Sequence, residues 1–159
     1  MTVTNQLKEA FDYLSNRLQF KPEIAIILGS GLGRFSELLS DPQIIPGHEI
    51  PHYPKSTVEG HAGNLIVAKL HNKPLIAIQG RSHFYEGYTL SDVVFSVRLM
   101  ALLGVKTLIV SNASGALNPD FHPGDLMLIN DQINFTFQNP LIGKNLDDIG
   151  DRFPDMSQP

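Results

Sequence analysis

Residues 24–33 read Ile24-Ala25-Ile26-Ile27-Leu28-Gly29-Ser30-Gly31-Leu32-Gly33. Five apolar residues, rich in β-branched Ile, give way at once to a glycine cluster. A run this short and continuous, closed by glycine, predicts a buried strand rather than a helix. Arg34 to Leu39 can then open a helix, which makes the stretch a strand–loop–helix unit of the α/β class. The composition agrees. A chain of 159 residues and 17.6 kDa is one domain by length, with room for a sizeable core. Its 42% hydrophobic and 18% charged residues argue against disorder. Sixteen Asp+Glu against twelve Lys+Arg give a net charge of −4, without the basic excess of a nucleic-acid binder. No apolar run reaches the ~18 residues that cross a bilayer. Met1 to Glu9 is polar and lacks a secretory segment, so a cytoplasmic location is expected. Cysteine is absent, which excludes disulfides, thiol catalysis and Cys-ligated zinc.

On either side of that stretch the pattern alternates between helix and strand. Leu7, Phe11, Leu14 and Leu18 recur in steps of four, three and four, predicting a helix over 4–18 with Thr4 or Asn5 as N-cap. Residues 41–60 hold four prolines and read as a long irregular loop, which in a compact domain usually serves function. Asn64–Leu70 and Pro74–Gln79 read as the two strands of a hairpin. Thr89–Leu103 returns to helical spacing, capped by Thr89 or Ser91 and closed by Gly104. Lys106–Val110 is a further strand and Asp125–Ile133 another candidate; from Phe135 on the chain reads as loop.

Four segments carry side chains suited to chemistry. Glycines around Ser30 let backbone N–H groups turn toward an anion, and the hydroxyl adds an uncharged donor. The same glycines also suit a tight turn needed only for packing, and the two readings weigh about evenly. The loop lacks the Gly-Lys-Ser/Thr of a Walker A motif, and its spacing is not that of the dinucleotide fingerprint. In Gly80-Arg81-Ser82-His83-Phe84-Tyr85-Glu86-Gly87-Tyr88, Arg81 offers a planar charged fork for phosphate. In an extended segment Arg81, His83 and Tyr85 would share one side, with Tyr85 suited to a sugar edge. His61 lies between Gly60 and Gly63; alone, it reads better as a solvent-facing loop histidine. Ser111-Asn112-Ala113-Ser114-Gly115 places small residues after a strand, where an Ala113 or Ser114 N–H can reach a phosphate and Gly115 can lie against a planar base. His48, His52, His71 and His122 show no metal-ligand spacing, and no metal is expected. Asp147, Asp148 and Asp151 read as solvated surface.

Taken together, ILGSGLG (27–33), STVEGHAGNL (56–65), QGRSHFYEGY (79–88), SNASGALNP (111–119), PGDLMLINDQIN (123–134), QNPLIG (138–143) and GDRFPDMS (150–157) resemble the purine nucleoside phosphorylase family, in its trimeric, lower-molecular-mass branch. The segments stand in family order and span nearly the whole chain. The resemblance implies a mixed β-sheet flanked by helices, with 1–159 forming the N-terminal part of a single nucleoside-phosphorylase domain. It implies phosphorolysis of purine (deoxy)ribonucleosides to free base and (deoxy)ribose 1-phosphate, with inorganic phosphate as co-substrate and no cofactor. Ser30, Arg81, His83 and the Ala113 N–H would hold phosphate, and His61 would sit near it. Tyr85 would contact the ribose, Ala113 and Gly115 would line the base, and Phe153 would cover the sugar of a neighbouring subunit in a homotrimer. The family's purine-recognising residues would fall beyond residue 159. A phosphate- or sugar-phosphate-binding module without catalysis is the alternative reading.

Overall fold

The computed structural model describes residues 2–55 and 63–157. Its centre is a five-stranded mixed sheet in the order β2-β3-β4-β1-β5. The strands are β1 Ile24–Leu28, β2 Ser40–Ile45, β3 Leu65–Leu70, β4 Lys73–Gln79 and β5 Thr107–Val110. β2, β3 and β4 pair antiparallel, while β1 runs parallel to both β4 and β5. The α-helices of the described residues are α1 (Val3–Ser15) and the short α2 (Leu90–Val93) and α3 (Phe95–Leu102), and three 3-10 turns join them. Among the described residues no helix is long and apolar enough to cross a membrane.

Strand alternation sorts the core into two layers. Ala25, Ile27, Leu65, Val67, Ile76 and Ile78 face α1 and α3, which contribute Leu7, Leu14, Phe95, Leu99 and Met100. Leu28, Ile66, Ala68, Leu75 and Ala77 face the other way, onto Leu39 and Phe35. Each fully buried large apolar side chain removes surface worth roughly 1.5–3 kcal/mol. The β3–β4 hairpin closes through His71 and Asn72, both at positive φ, the pattern of a two-residue type I′ turn.

Several boundaries differ from the sequence reading. Helix α1 starts earlier, capped by Thr2, whose hydroxyl accepts from the Asn5 N–H at 3.4 Å. The segment after Gly33 is a 3-10 helix, Gly33–Leu38. The expected helix over 89–103 starts with the Thr89 capping box and closes at Gly104 in the left-handed region, but it breaks at Val94, beside the β-branched pair Val93-Val94. The expected loop over 41–60 contains β2. Pro42 is tolerated there because β2 is an edge strand with a register shift between Ser40 and Gln43. Asp125–Ile133 is not a strand. Its apolar residues suit one, but a strand exists only where a neighbour takes its N–H and C=O groups, and no described strand does so. Leu126 stands 95% exposed there. Farther on the chain returns to the core, where Leu146 and Ile149 pack on the α1/α3 layer and the Arg98 guanidinium donates to the Pro140 carbonyl at 3.0 Å.

This layering makes β4 the most demanding strand. Ile76→Ala should cost about 2–5 kcal/mol in chemical denaturation, through lost burial and a residual cavity. Ile44→Ala, on edge strand β2 and 57% exposed, should shift stability by less than about 0.5 kcal/mol. Equal costs would contradict the placement of the core.

Candidate functional site

Three neighbouring parallel strands, β4, β1 and β5, end on the same side of the sheet. Each hands the chain to one of the segments singled out above: β1 to Gly29–Gly33, β4 to Gly80–Tyr88, β5 to Ser111–Gly115. Open α/β sheets bind ligands beyond strand carboxyl ends because loops there converge while the strands hold them rigidly.

The convergence is hydrogen-bonded. The Arg81 guanidinium donates to the Ser111 carbonyl at 2.7 Å. The Gly29 N–H donates to the Ser111 hydroxyl at 2.8 Å, and that hydroxyl donates to the Ile27 carbonyl at 3.1 Å. A side chain on residue 29 would not fit, because its Cβ would lie 2.5 Å from the Ser111 carbonyl oxygen. Gly31 is needed for a different reason: its φ of +86° is unfavourable for any residue with a Cβ. Gly33 meets neither constraint, since a Cβ there would enter open space. The steric demands on the loop thus differ residue by residue. Gly29 serves close packing, Gly31 serves the turn, and Ser30 stands exposed between them.

The expected alternation of Arg81, His83 and Tyr85 along an extended segment does not form. His83 is extended, but Phe84–Glu86 turns into a 3-10 helix. The turn brings the Tyr85 ring back over His83, stacked at 4.8 Å between centroids. Tyr85 is 75% exposed. The cause is Glu86. Its carboxylate, only 3% exposed, accepts from the His83 N–H at 2.7 Å and from His83 Nδ1 at 2.9 Å. That second bond requires the proton on Nδ1 and leaves Nε2 as the nitrogen turned away from Glu86. The sequence reading assigned Glu86 no role. Its position three residues after an extended residue is the spacing of a capping box, which was the available signal.

A shallow pocket borders Arg81, lined by Tyr53, Gly63, Gly80, Ser82, Asp92 and Ser96. The Tyr53 hydroxyl is paired with Ser96, and burial raises its pKa well above the ordinary tyrosine value. Ala113 and Gly115 follow Ser111 on an exposed segment. Phe153 is 87% exposed, with the Arg152 guanidinium 5.9 Å from its ring centroid. His61 lies outside the described residues; Gly63, two residues on, is fixed by donation of its N–H to the Gln79 carbonyl at 2.9 Å. No group of three or more His, Asp or Glu among the described residues is arranged to hold a metal ion.

Residues 23–159 match the sequence model of the phosphorylase superfamily. The chain belongs to that superfamily. This phosphorylase-superfamily chain is 49% identical over 153 residues to purine nucleoside phosphorylase 1 of Bacillus subtilis, covering 96% of its own length and 56% of the relative. It is 50% identical over 148 residues to the mouse purine nucleoside phosphorylase, covering 91% and 51%. It therefore spans about half the length of these curated relatives. Among solved structures, Schistosoma mansoni purine nucleoside phosphorylase in complex with acetate superposes with a TM-score of 0.88 at 39% identity, over 99% of this chain and 59% of that one. Isoform 2 of the same organism's enzyme, in complex with cytosine and ribose-1-phosphate, superposes with a TM-score of 0.86 at 40% identity, over 96% and 55%. The mixed sheet flanked by helices is thus the phosphorylase-type fold that the motifs implied.

The different surroundings of Gly29 and Gly33 give a direct expectation. Gly29→Ala should cost about 1–3 kcal/mol through overpacking against the Ser111 carbonyl. Gly33→Ala should change stability by less than about 0.5 kcal/mol. Denaturant titration of the two variants distinguishes a packing glycine from a dispensable one.

Proposed function

We propose that the full-length protein is a purine nucleoside phosphorylase. It would convert purine (deoxy)ribonucleosides such as inosine and guanosine, with inorganic phosphate, into free base and (deoxy)ribose 1-phosphate. The observation that carries this reading is the meeting of the Gly29–Gly33, Arg81–His83 and Ser111–Gly115 segments at the ends of three parallel strands. An anion held there has the Ser30 hydroxyl, the Arg81 guanidinium, His83 and the Ala113 N–H available to it. These are a charged fork and several neutral donors, which is the equipment phosphate requires. The names of the relatives point the same way.

In this mechanism the protein supplies position and charge rather than a covalent nucleophile. A phosphate oxygen, held behind the anomeric carbon, forms the new C–O bond as the glycosidic C–N bond breaks. The sugar passes through an oxocarbenium-like state and its configuration inverts. The base departs with the bonding electron pair and takes up a proton. Arg81 and His83 keep the phosphate in line and balance the developing charges. His61 would sit near the phosphate, Tyr85 would approach the ribose, and Ala113 and Gly115 would border the base. The exposure of Phe153 fits a ring that covers the sugar of a neighbouring subunit in a homotrimer. The protein would work in the cytoplasm with phosphate as co-substrate and without a cofactor.

Release of hypoxanthine from inosine by the full-length protein should require inorganic phosphate and yield ribose 1-phosphate stoichiometrically. Arg81→Ala should lower kcat/KM by about 10²–10³-fold, the range for losing one preorganised charge-stabilising donor. Equal cleavage without phosphate would make the protein a hydrolase. Phosphate binding without turnover would favour the non-catalytic module.

A further inference from the structure

We infer that the Ser111 hydroxyl is a positioning group for the phosphate site, acting by freeing its own backbone carbonyl to orient Arg81. The inference rests on the reading of this site as a phosphate site and adds to it a residue that the motif analysis gave no role.

The parallel ladder between β1 and β5 sets the geometry. Ile24 to Ile27 pair with Thr107 to Val110 in regular register. The Ser111 N–H continues the ladder by donating to the Ile27 carbonyl at 3.1 Å. In a regular parallel ladder the next bond would run from the Gly29 N–H to the Ser111 carbonyl, because each paired residue bonds both flanking residues of its neighbour. Here the Gly29 N–H goes to the Ser111 hydroxyl oxygen instead, at 2.8 Å. The same hydroxyl spends its proton on the Ile27 carbonyl. A hydroxyl can do both at once, since it is one donor and two acceptors.

The consequence is on the far side of the peptide. The Ser111 carbonyl, released from the ladder, accepts the Arg81 guanidinium at 2.7 Å. A guanidinium has five donors in a rigid plane, so one bond to a fixed carbonyl sets that plane and leaves the others for an anion. Arg81 follows β4, Gly29 follows β1 and Ser111 follows β5. A single serine therefore ties together all three segments of the proposed phosphate site. The lack of room for a side chain at residue 29 reflects the same close approach to the Ser111 carbonyl. Without the hydroxyl, the Gly29 N–H has the Ser111 carbonyl as its nearest ladder acceptor and competes with Arg81 for it.

The test uses the full-length protein and three variants, of which the Thr and Val forms are matched in shape. Ser111→Thr keeps the hydroxyl, Ser111→Val does not, and Ser111→Ala removes it without adding bulk. KM for phosphate, KM for inosine and kcat are measured, together with direct binding of inorganic phosphate by calorimetry. The expected result is a rise of about tenfold in phosphate KM and Kd for the Val and Ala variants, with inosine KM within twofold of wild type and Thr restoring the wild-type values. Phosphate KM within twofold of wild type in folded Val and Ala variants overturns the inference. So does an equal rise in both substrates' KM, or failure of Thr to restore. If only Thr yields folded protein, the hydroxyl is a requirement of the fold and the positioning role falls. A wild-type protein that neither binds nor uses phosphate refutes the proposed function itself, a different failure from any of these.

Discussion

The two backbone ladders on either edge of β1 are the constraint on which the rest depends. β1 is a short apolar strand inside the sheet, between β4 and the edge strand β5, with side chains feeding both core layers. Its peptide groups lie between two neighbouring strands, and each needs a partner there. β4 supplies one edge and β5 the other, both in parallel. Parallel neighbours cannot be joined by a tight turn. The chain meets this by leaving β1 for the antiparallel β2–β3–β4 excursion, and by leaving β4 through α2 and α3 to reach β5. One geometric result follows: three strands end together, and three loops emerge side by side.

What those loops do is governed by where regular pairing stops. Past Leu28 and Val110 the ladder is continued by a side chain, the Ser111 hydroxyl, and the displaced carbonyl turns to Arg81. At Gln79 the chain is held by the Gly63 and Asn64 backbone, and just past it by Arg81. His83 then takes its orientation from the buried Glu86 carboxylate. Beyond Ser111 the chain contributes little to the core until Leu146 and Ile149 return to the α1/α3 layer, and large apolar side chains such as Leu126 and Phe153 lie on the surface.

The parts of the fold that were legible in the sequence share a property: their pattern and their physical cause are both local. The apolar run of β1, the helical stripe of α1, the cap at Thr89 and the stop at Gly104 each depend on neighbours within a few residues. The misread strands depend on partners far along the chain. β2 contains a proline that argues against a strand, yet pairing with β3 carries it. Asp125–Ile133 has suitable residues and no described partner, so it forms none. The candidate site divides similarly. Arg81 and the glycine loop stood out as residue types, but the tie between them runs through Ser111, at a sequence separation of thirty from Arg81. The stacking of Tyr85 on His83 replaced an expected alternation because one local carboxylate bent the segment.

The sequence by itself determined the α/β class, the apolar strand β1, and the residue types gathered for an anion, since apolar periodicity, glycine and permanent charge act at short range. Only the tertiary structure decided which strands pair, which glycine is needed for space and which for its backbone angle, and which atom of Ser111 faces Gly29 and which faces Arg81. These are matters of who meets whom across the sheet. The physical reason is that a hydrogen bond or a steric contact belongs to two groups at once, and the chain brings them together only after it has folded.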